Sequence, residues 1–389
     1  MQTESYVKKQ NINKTSLWRN ESPLLGELDI ELTERCNNNC IHCCINLPQD
    51  DLEAKKKELS TEEIKRILKE AVSLGCMSVR FTGGEPLLRN DFEELYIFAR
   101  RQGLKVLIFT NVVLITSELA DLFTRIPPLE KIEVTVYGMK KSSYEAVSRV
   151  NGSYEAAWRG MNLLLEKNIP FVVKGALLPY NKDEIEEFEK WALNIPWMDK
   201  KPPAYSMFFD LRCRRDSAKN EAIKKLRIVP DEGLRILTRR KDEYFKEMRE
   251  FCAKFMRPSG EKLFSCGSGM GGGCVDAYGN FQLCMMLRHP VCVYDLKKGS
   301  LKDALSGFFL KVREIKAANP DYLNRCAKCF LKGLCEQCPA KSWTEYGTLD
   351  TPVEYLCEVA HTQARFLGLI NEVEKAWQIR DWEERIRIS

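Results

Sequence analysis

Histidine is nearly absent from this chain: His42, His289 and His361 are the only three among 389 residues. Imidazole can supply few ligands, which weighs against a metal site built on histidines. Long apolar runs are missing too. No stretch reaches the roughly eighteen residues of a membrane-spanning helix, and residues 1–25 lack the apolar centre of a secretion signal. No segment is low in complexity, and no repeat recurs at solenoid periods. Charge of one sign is not in excess, since 60 Lys and Arg against 55 Asp and Glu leave a net +5. So slight a balance argues against a dedicated nucleic-acid binder. What remains is a globular protein expected in the cytoplasm, long enough for two or three compact units.

Cysteine, by contrast, is abundant, with sixteen in the chain. With nothing directing export, they are expected to be free thiols, and clustered free thiols point to metal. Many Cys beside few His suggests iron–sulfur rather than zinc chemistry.

Residues 26–210 alternate strand and helix signals. Strand-like segments fall at 28–32, 77–82, 105–110, 131–137, 171–177 and 204–210. Helical segments fall between them, at 60–74, 91–102, 116–124, 153–167 and 183–194. The first of these opens on Ser60 and Glu63, a capping-box pair. That order predicts an α/β fold, a partial (β/α)6 TIM-like barrel of parallel strands with right-handed crossovers. Residues 1–25 are an N-terminal extension, 26–215 the barrel, and 216–259 a charged helical bridge. Residues 260–365 form a small cysteine-rich domain, and 366–389 a C-terminal helix that packs back on the barrel. Ten of the cysteines lie at or after Cys252, so this second domain is expected to lean on metal more than on a core.

Cys36, Cys40 and Cys43 follow the first strand in CNNNCIHC. Three thiolates on one loop can hold three irons of a cubane and leave the fourth open. A zinc site there would need His42 or Cys44 as a fourth ligand. With its supporting motifs, the loop resembles the signature of the radical S-adenosylmethionine (SAM) superfamily. Gly83, Gly84, Glu85 and Pro86 end the second strand and resemble the family segment that holds the methionine amino group of SAM. Glycines let backbone carbonyls approach an ammonium, and a carboxylate offsets its charge. Thr110 and Asn111 end the third strand, where the family touches the ribose, although Val112 replaces the family's glycine. Thr135, in VTVYG, stands where the family carries a ribose- or carboxylate-binding hydroxyl. The resemblance implies that one electron from a 4Fe–4S cluster cleaves SAM, and that the resulting 5′-deoxyadenosyl radical takes a hydrogen from the substrate. Flavodoxin or ferredoxin is the kind of electron donor it implies.

Cys326, Cys329, Cys335 and Cys338 form CAKCFLKGLCEQC, with Cys357 beyond. Taken alone, the run also reads as a zinc ribbon. With Cys266, Gly279 and Cys284 it resembles the SPASM extension of peptide-modifying radical SAM enzymes, which binds two auxiliary 4Fe–4S clusters. That resemblance implies three clusters in all. It assigns Cys266, Cys284 and Cys338 to the first auxiliary cluster, and Cys326, Cys329, Cys335 and Cys357 to the second. A turn at Tyr278-Gly279-Asn280 would set Cys274 nearly across from Cys284, making Cys274 the favoured fourth ligand, with Cys252 or an open iron as alternatives. Cys44, Cys76, Cys213 and Cys292 read as buried small residues. Cys213, among Arg212, Arg214 and Arg215, has the surroundings of a reactive thiol.

The substrate implied is a peptide or protein side chain, as in the maturation of ribosomal peptides. Too few residues precede the first strand for a leader-binding unit, so either a separate protein would supply one or the substrate bears no leader. A tetrapyrrole or other cofactor precursor is the alternative, and a multi-cluster electron carrier or an RNA-modifying enzyme are readings of other classes. Strand alternation also turns Asp29, Glu31, Arg80, Thr82, Glu133, Thr135 and Lys174 into the lumen. Glu31 and Arg80 are expected to contact SAM or substrate there, with Lys174 beside them, or else to form a salt bridge.

Overall fold

The computed structural model describes residues 24–43, 45, 47–199, 202–207 and 217–388. Six parallel strands run in sequential order through the first half. They are β1 Glu27–Thr33, β2 Ser78–Gly83, β3 Lys105–Thr110, β4 Ile132–Val136, β5 Phe171–Ala176 and β6 Ala204–Ser206. A helix crosses over between each successive pair, at Thr61–Ser73, Phe92–Arg101, Ser117–Arg125, Ser153–Glu166 and Ile185–Ala192. The expected partial barrel is therefore present. Of the helices not foreseen from the sequence pattern, Lys141–Ser148 bears on the site.

Local chemistry explains these elements. Ser60 caps Thr61–Ser73 in a reciprocal box with Glu63, and the helix buries Ile64, Ile67, Leu68 and Ala71 on one face. On β1, Leu28, Ile30 and Leu32 are buried toward the helices. Each such side chain contributes about 1.5–3 kcal/mol of apolar burial. The alternate residues are left for the lumen.

Three further strands extend the same sheet. They are β7 Cys274–Val275, β8 Asn280–Gln282 and β9 Val293–Asp295. β7 lies parallel to β1, pairing Asp29 with Cys274 and Ile30 with Val275, and β8 and β9 follow antiparallel. The sheet order is β9-β8-β7-β1-β2-β3-β4-β5-β6. The cysteine-rich half thus covers the open edge of β1, where unpaired backbone groups would otherwise be exposed. One apolar core runs through both halves, from Leu25 to Ala340.

Residues 217–255 are helical, as Ser217–Lys224, Pro230–Leu237 and Lys241–Phe255. The expected helix over 366–389 needs correction. A helix Glu354–Phe366 ends before Gly368, whose φ of +74° breaks it, and helix resumes only at Trp382–Ile388. Nor does this tail pack on the barrel. Trp382 and Ile386 join Cys252, Met256, Phe330 and Ala364 in a separate core. Residues 208–210 of the sixth strand segment, Cys44, and Arg212 to Arg215 with Cys213 lie outside the described residues.

Candidate active site

The loop bearing Cys36, Cys40 and Cys43 is held from two sides. Behind it, Gly84 N–H donates to Thr33 O at 2.7 Å and Glu85 N–H to Arg35 O at 2.9 Å. A Cβ on Gly83 or Gly84 would lie 2.1 or 2.2 Å from those carbonyl oxygens, so this contact requires glycine at both positions. Arg35 itself is tied to Glu58 at 2.9 and 3.1 Å and to the Gln49 carbonyl at 2.8 Å. In front, Asn39 and Ile41 N–H donate to the carbonyls of Ser148 and Val147, at the end of the unforeseen helix.

The three cysteines are free thiols on this one loop. Burial pushes the Cys40 thiol up to about 12, with Cys43 adding to it. Cys36 is raised by burial, then by Glu85, and further by Cys40 and Cys43. Hydrogen-bond donors approach the sulfurs, with Asn38 N–H 3.3 Å and Asn111 Nδ2 3.7 Å from Cys36 Sγ. The Tyr137 hydroxyl meets Cys40. His42 sets its ring 5.8 Å from that of Tyr137. Asn38 was passed over in the sequence. It is 3% exposed, and neither polar atom of its amide has a hydrogen-bond partner. A buried amide in that state costs about 1–3 kcal/mol unless something fills the space beside it.

Glu85 is fully buried, and the fold occupies its carboxylate. Oε1 accepts from Thr110 Oγ1 at 2.9 Å and Leu87 N–H at 3.1 Å, and Oε2 from Asn111 N–H at 2.8 Å. It therefore staples the end of β2 to the end of β3. The Thr110 hydroxyl is spent twice, since it also accepts from Val112 N–H at 2.9 Å. Val112 adopts φ +62°, the left-handed conformation that glycine takes freely and a β-branched residue resists. The asparagine beside it reaches toward the cysteine loop, with Asn111 Nδ2 bonding Asn37 Oδ1 at 2.8 Å.

Burial outweighs those hydrogen bonds and raises the Glu85 carboxyl from 4.5 to about 7. The folded protein then holds a proton that the unfolded chain releases near 4.5. This contribution to stability is full below about pH 4.5 and is lost as pH rises through about 7, by about 3 kcal/mol for a single group. Urea unfolding of the metal-free protein across that window should show this slope, and Glu85→Gln should flatten it. An unchanged slope in the variant would show that Glu85 is ionised throughout.

In the lumen, Asp29 and Arg80 are register partners and form an ion pair at 2.9 Å. Glu133 and Lys174 pair at 2.8 Å. Both cations lie over the Phe109 ring, at 4.8 Å for Arg80 and 3.3 Å for Lys174. Thr135, half-buried, stands in register with Lys174. The expected Glu31–Arg80 bridge is corrected by this register, which sets Glu31 opposite Thr82. Glu31 is 1% exposed and pairs instead with Arg288 at 2.5 Å, while Arg288 also holds Asp276 at 2.8 Å. Tyr278 donates to Glu34 at 2.9 Å beside them. The cysteine-rich half is thereby fastened to the strand that leads into Cys36.

Among the later cysteines, Cys326, Cys329, Cys335 and Cys357 line one cavity with Arg325, His361 and Trp377. Cys266, Cys284 and Cys338 form a second group: burial raises Cys284 with Cys266 adding to it, and Cys284 in turn adds to Cys338. Cys274 sits fully buried on β7, opposite Gln282 rather than Cys284. Cys76 and Cys292 are buried, and Cys252 belongs to the separate C-terminal core.

Residues 30–192 match the model of the radical SAM superfamily. This is a radical SAM domain. Over those residues the chain carries the domain of an enzyme superfamily whose cofactors are SAM and a 4Fe–4S cluster. The radical SAM domain's own residues fit that cluster: three free thiols share one loop, and the orphaned Asn38 amide lies buried beside Cys36. The chain is 31% identical to an Fe-coproporphyrin III synthase of Methanosarcina barkeri over 156 residues, 40% of this chain but only 37% of the relative. It is 24% identical to an AdoMet-dependent heme synthase of the same organism over 336 residues, 82% of this chain and 92% of the relative. A solved structure of anSMEcpe with bound AdoMet and a Kp18Cys peptide superposes with a TM-score of 0.62 at 16% identity, covering 88% of this chain and 97% of that one. At that identity the likeness is one of fold.

Proposed function

We propose that this enzyme cleaves SAM reductively and uses the 5′-deoxyadenosyl radical to abstract a hydrogen from a peptide or protein side chain. The observation that carries this substrate class is the charge balance around the lumen. Arg80, Lys174 and Arg288 are each paired, and four carboxylates, Asp29, Glu31, Glu133 and Asp276, face those three cations. Among the described residues, this wall holds no excess of positive charge for a substrate bearing several carboxylates. An uncharged peptide segment meets no such penalty.

In this reading Cys36, Cys40 and Cys43 hold the catalytic cluster, which when bound supplies the electron that breaks the sulfonium. Gly83, Gly84, Glu85 and Pro86 shape the wall for the methionine end of SAM, with Glu85 acting by bracing Thr110 and Asn111. Asn111, Thr135 and Lys174 are the side chains for its ribose and carboxylate, and Glu31 and Arg80 orient the substrate. Residues 260–365 carry two auxiliary clusters, one on Cys266, Cys284 and Cys338, and one on Cys326, Cys329, Cys335 and Cys357. The four thiols lining one cavity support the latter. Cys274, on its strand opposite Gln282, is the less favoured fourth ligand of the former, compared with an open iron. A reducing cytoplasm and a flavodoxin- or ferredoxin-type donor suit these thiolates, and no helix among the described residues is long and apolar enough to cross a membrane. A leader-binding partner remains part of the proposal.

A tetrapyrrole substrate is the second reading, favoured by the heme synthase match across most of both chains. Reconstituted enzyme should contain about twelve irons per chain, from three cubanes. It should form 5′-deoxyadenosine above background with a pool of cytosolic peptides and not with Fe-coproporphyrin III. Decarboxylation of the tetrapyrrole would reject the peptide reading.

A further inference from the structure

We infer that Arg325 sets the reduction potential of the cluster held by Cys326, Cys329, Cys335 and Cys357, acting as a fixed cationic donor to the Cys357 sulfur. The inference rests on the proposal that these four cysteines are cluster ligands. Arg325 Nη2 lies 3.8 Å from Cys357 Sγ. Its guanidinium is fixed from every side. Glu354 accepts from Nη1 and Nη2 at 2.6 and 2.8 Å, Asp321 accepts from Nη1 at 3.1 Å, and the plane lies 4.9 Å from the Trp377 ring. The remaining Nε–H is buried and has no hydrogen-bond partner. Its charge also reaches Cys326, the adjoining residue and another wall of the same cavity.

The other candidate donor at this sulfur is committed elsewhere. His361 Nδ1 is 3.5 Å from Cys357 Sγ but only 2.8 Å from the Cys357 carbonyl. Nε2 accepts from Ala376 N–H at 3.3 Å, so the network assigns the ring proton to Nδ1 and its bond to the carbonyl. Arg325 is then the charged donor facing the thiolate. Reduction adds negative charge to a cluster and its sulfurs, and a nearby cationic donor stabilises the reduced form more than the oxidised one. Glu354 partly offsets that cation. The two residues should therefore pull the potential in opposite directions.

The test uses full-length protein with Cys36, Cys40 and Cys43 replaced by Ala, so that only auxiliary clusters remain, in redox titrations followed by electron paramagnetic resonance. Arg325→Gln should move one auxiliary signal to a more negative midpoint, and Glu354→Gln should move the same signal to a more positive one. Arg325→Lys, which keeps the charge without the planar fork, should fall between Arg325→Gln and the parent. The other auxiliary signal should stay in place. A loosened fold would not produce shifts of opposite sign from the two ends of one ion pair. Unchanged midpoints, or shifts of the same sign, would overturn the role of Arg325. If Arg325→Gln loses iron, the Lys and Glu354→Gln variants decide on the same criteria. The ligand assignment fails separately, if replacing Cys326, Cys329, Cys335 and Cys357 by Ala removes no iron.

Discussion

Anaerobically reconstituted protein with Cys36, Cys40 and Cys43 all replaced by alanine should release no 5′-deoxyadenosine from SAM above background, and should carry about four fewer irons per chain than the parent. The loss should be complete because, in the proposed site, the three thiols serve one cluster. They sit on a single loop, Cys43 adds to the raised thiols of Cys36 and Cys40, and the amide donors that approach Cys36 offer no substitute ligand. The loop itself should survive the change. Its backbone is held by Thr33, Arg35, Val147 and Ser148, none of which depends on the sulfurs. Circular dichroism of the variant should match the parent, which separates lost chemistry from lost fold. SAM cleavage retained in this variant would refute the site.

The second large effect is expected at Arg288. Replacing it with Leu leaves Glu31, 1% exposed, and Asp276, 6% exposed, without their shared cation. Breaking a buried ion pair from one side costs about 3–5 kcal/mol, since the abandoned charge stays out of water. Urea unfolding should record that loss, and adding Glu31→Gln should recover part of it by removing one stranded charge. Arg80→Gln provides the contrast. Its pair with Asp29 is exposed by 27% and 18%, so water can screen what remains and the cost should be smaller. Equal losses for Arg288→Leu and Arg80→Gln would mean that the Glu31–Arg288–Asp276 bridge does not hold the two halves together.

How far these residues were legible in the sequence depended on the range of the interaction. The alternation of Leu28, Ile30 and Leu32 with Asp29 and Glu31 declares a strand with one apolar face, because side chains on a strand take opposite sides in turn. Ser60 and Glu63 declare a helix start, since both partners of that cap lie within one turn. The spacing of Cys36, Cys40 and Cys43 marks a candidate metal loop for the same reason: the three thiols are neighbours in the chain.

What depended on register or on distant chain segments was decided only in the tertiary structure. Alternation says which face Arg80 occupies, but the pairing of β1 with β2 chose Asp29 rather than Glu31 as its partner. Glu31 found its cation 257 residues away, on a loop whose position follows from β7 lying along β1. Two residues of strand carry too little pattern to announce such a pairing. The left-handed turn at Val112 was hidden because a valine stands where the conformation favours glycine. Composition and local spacing determined that this chain is an α/β protein whose cysteines are grouped as metal ligands would be. Which carboxylate meets which cation, and which donor faces which sulfur, follows from packing between strands and loops far apart in the chain, where the free energies of burial and pairing are collected.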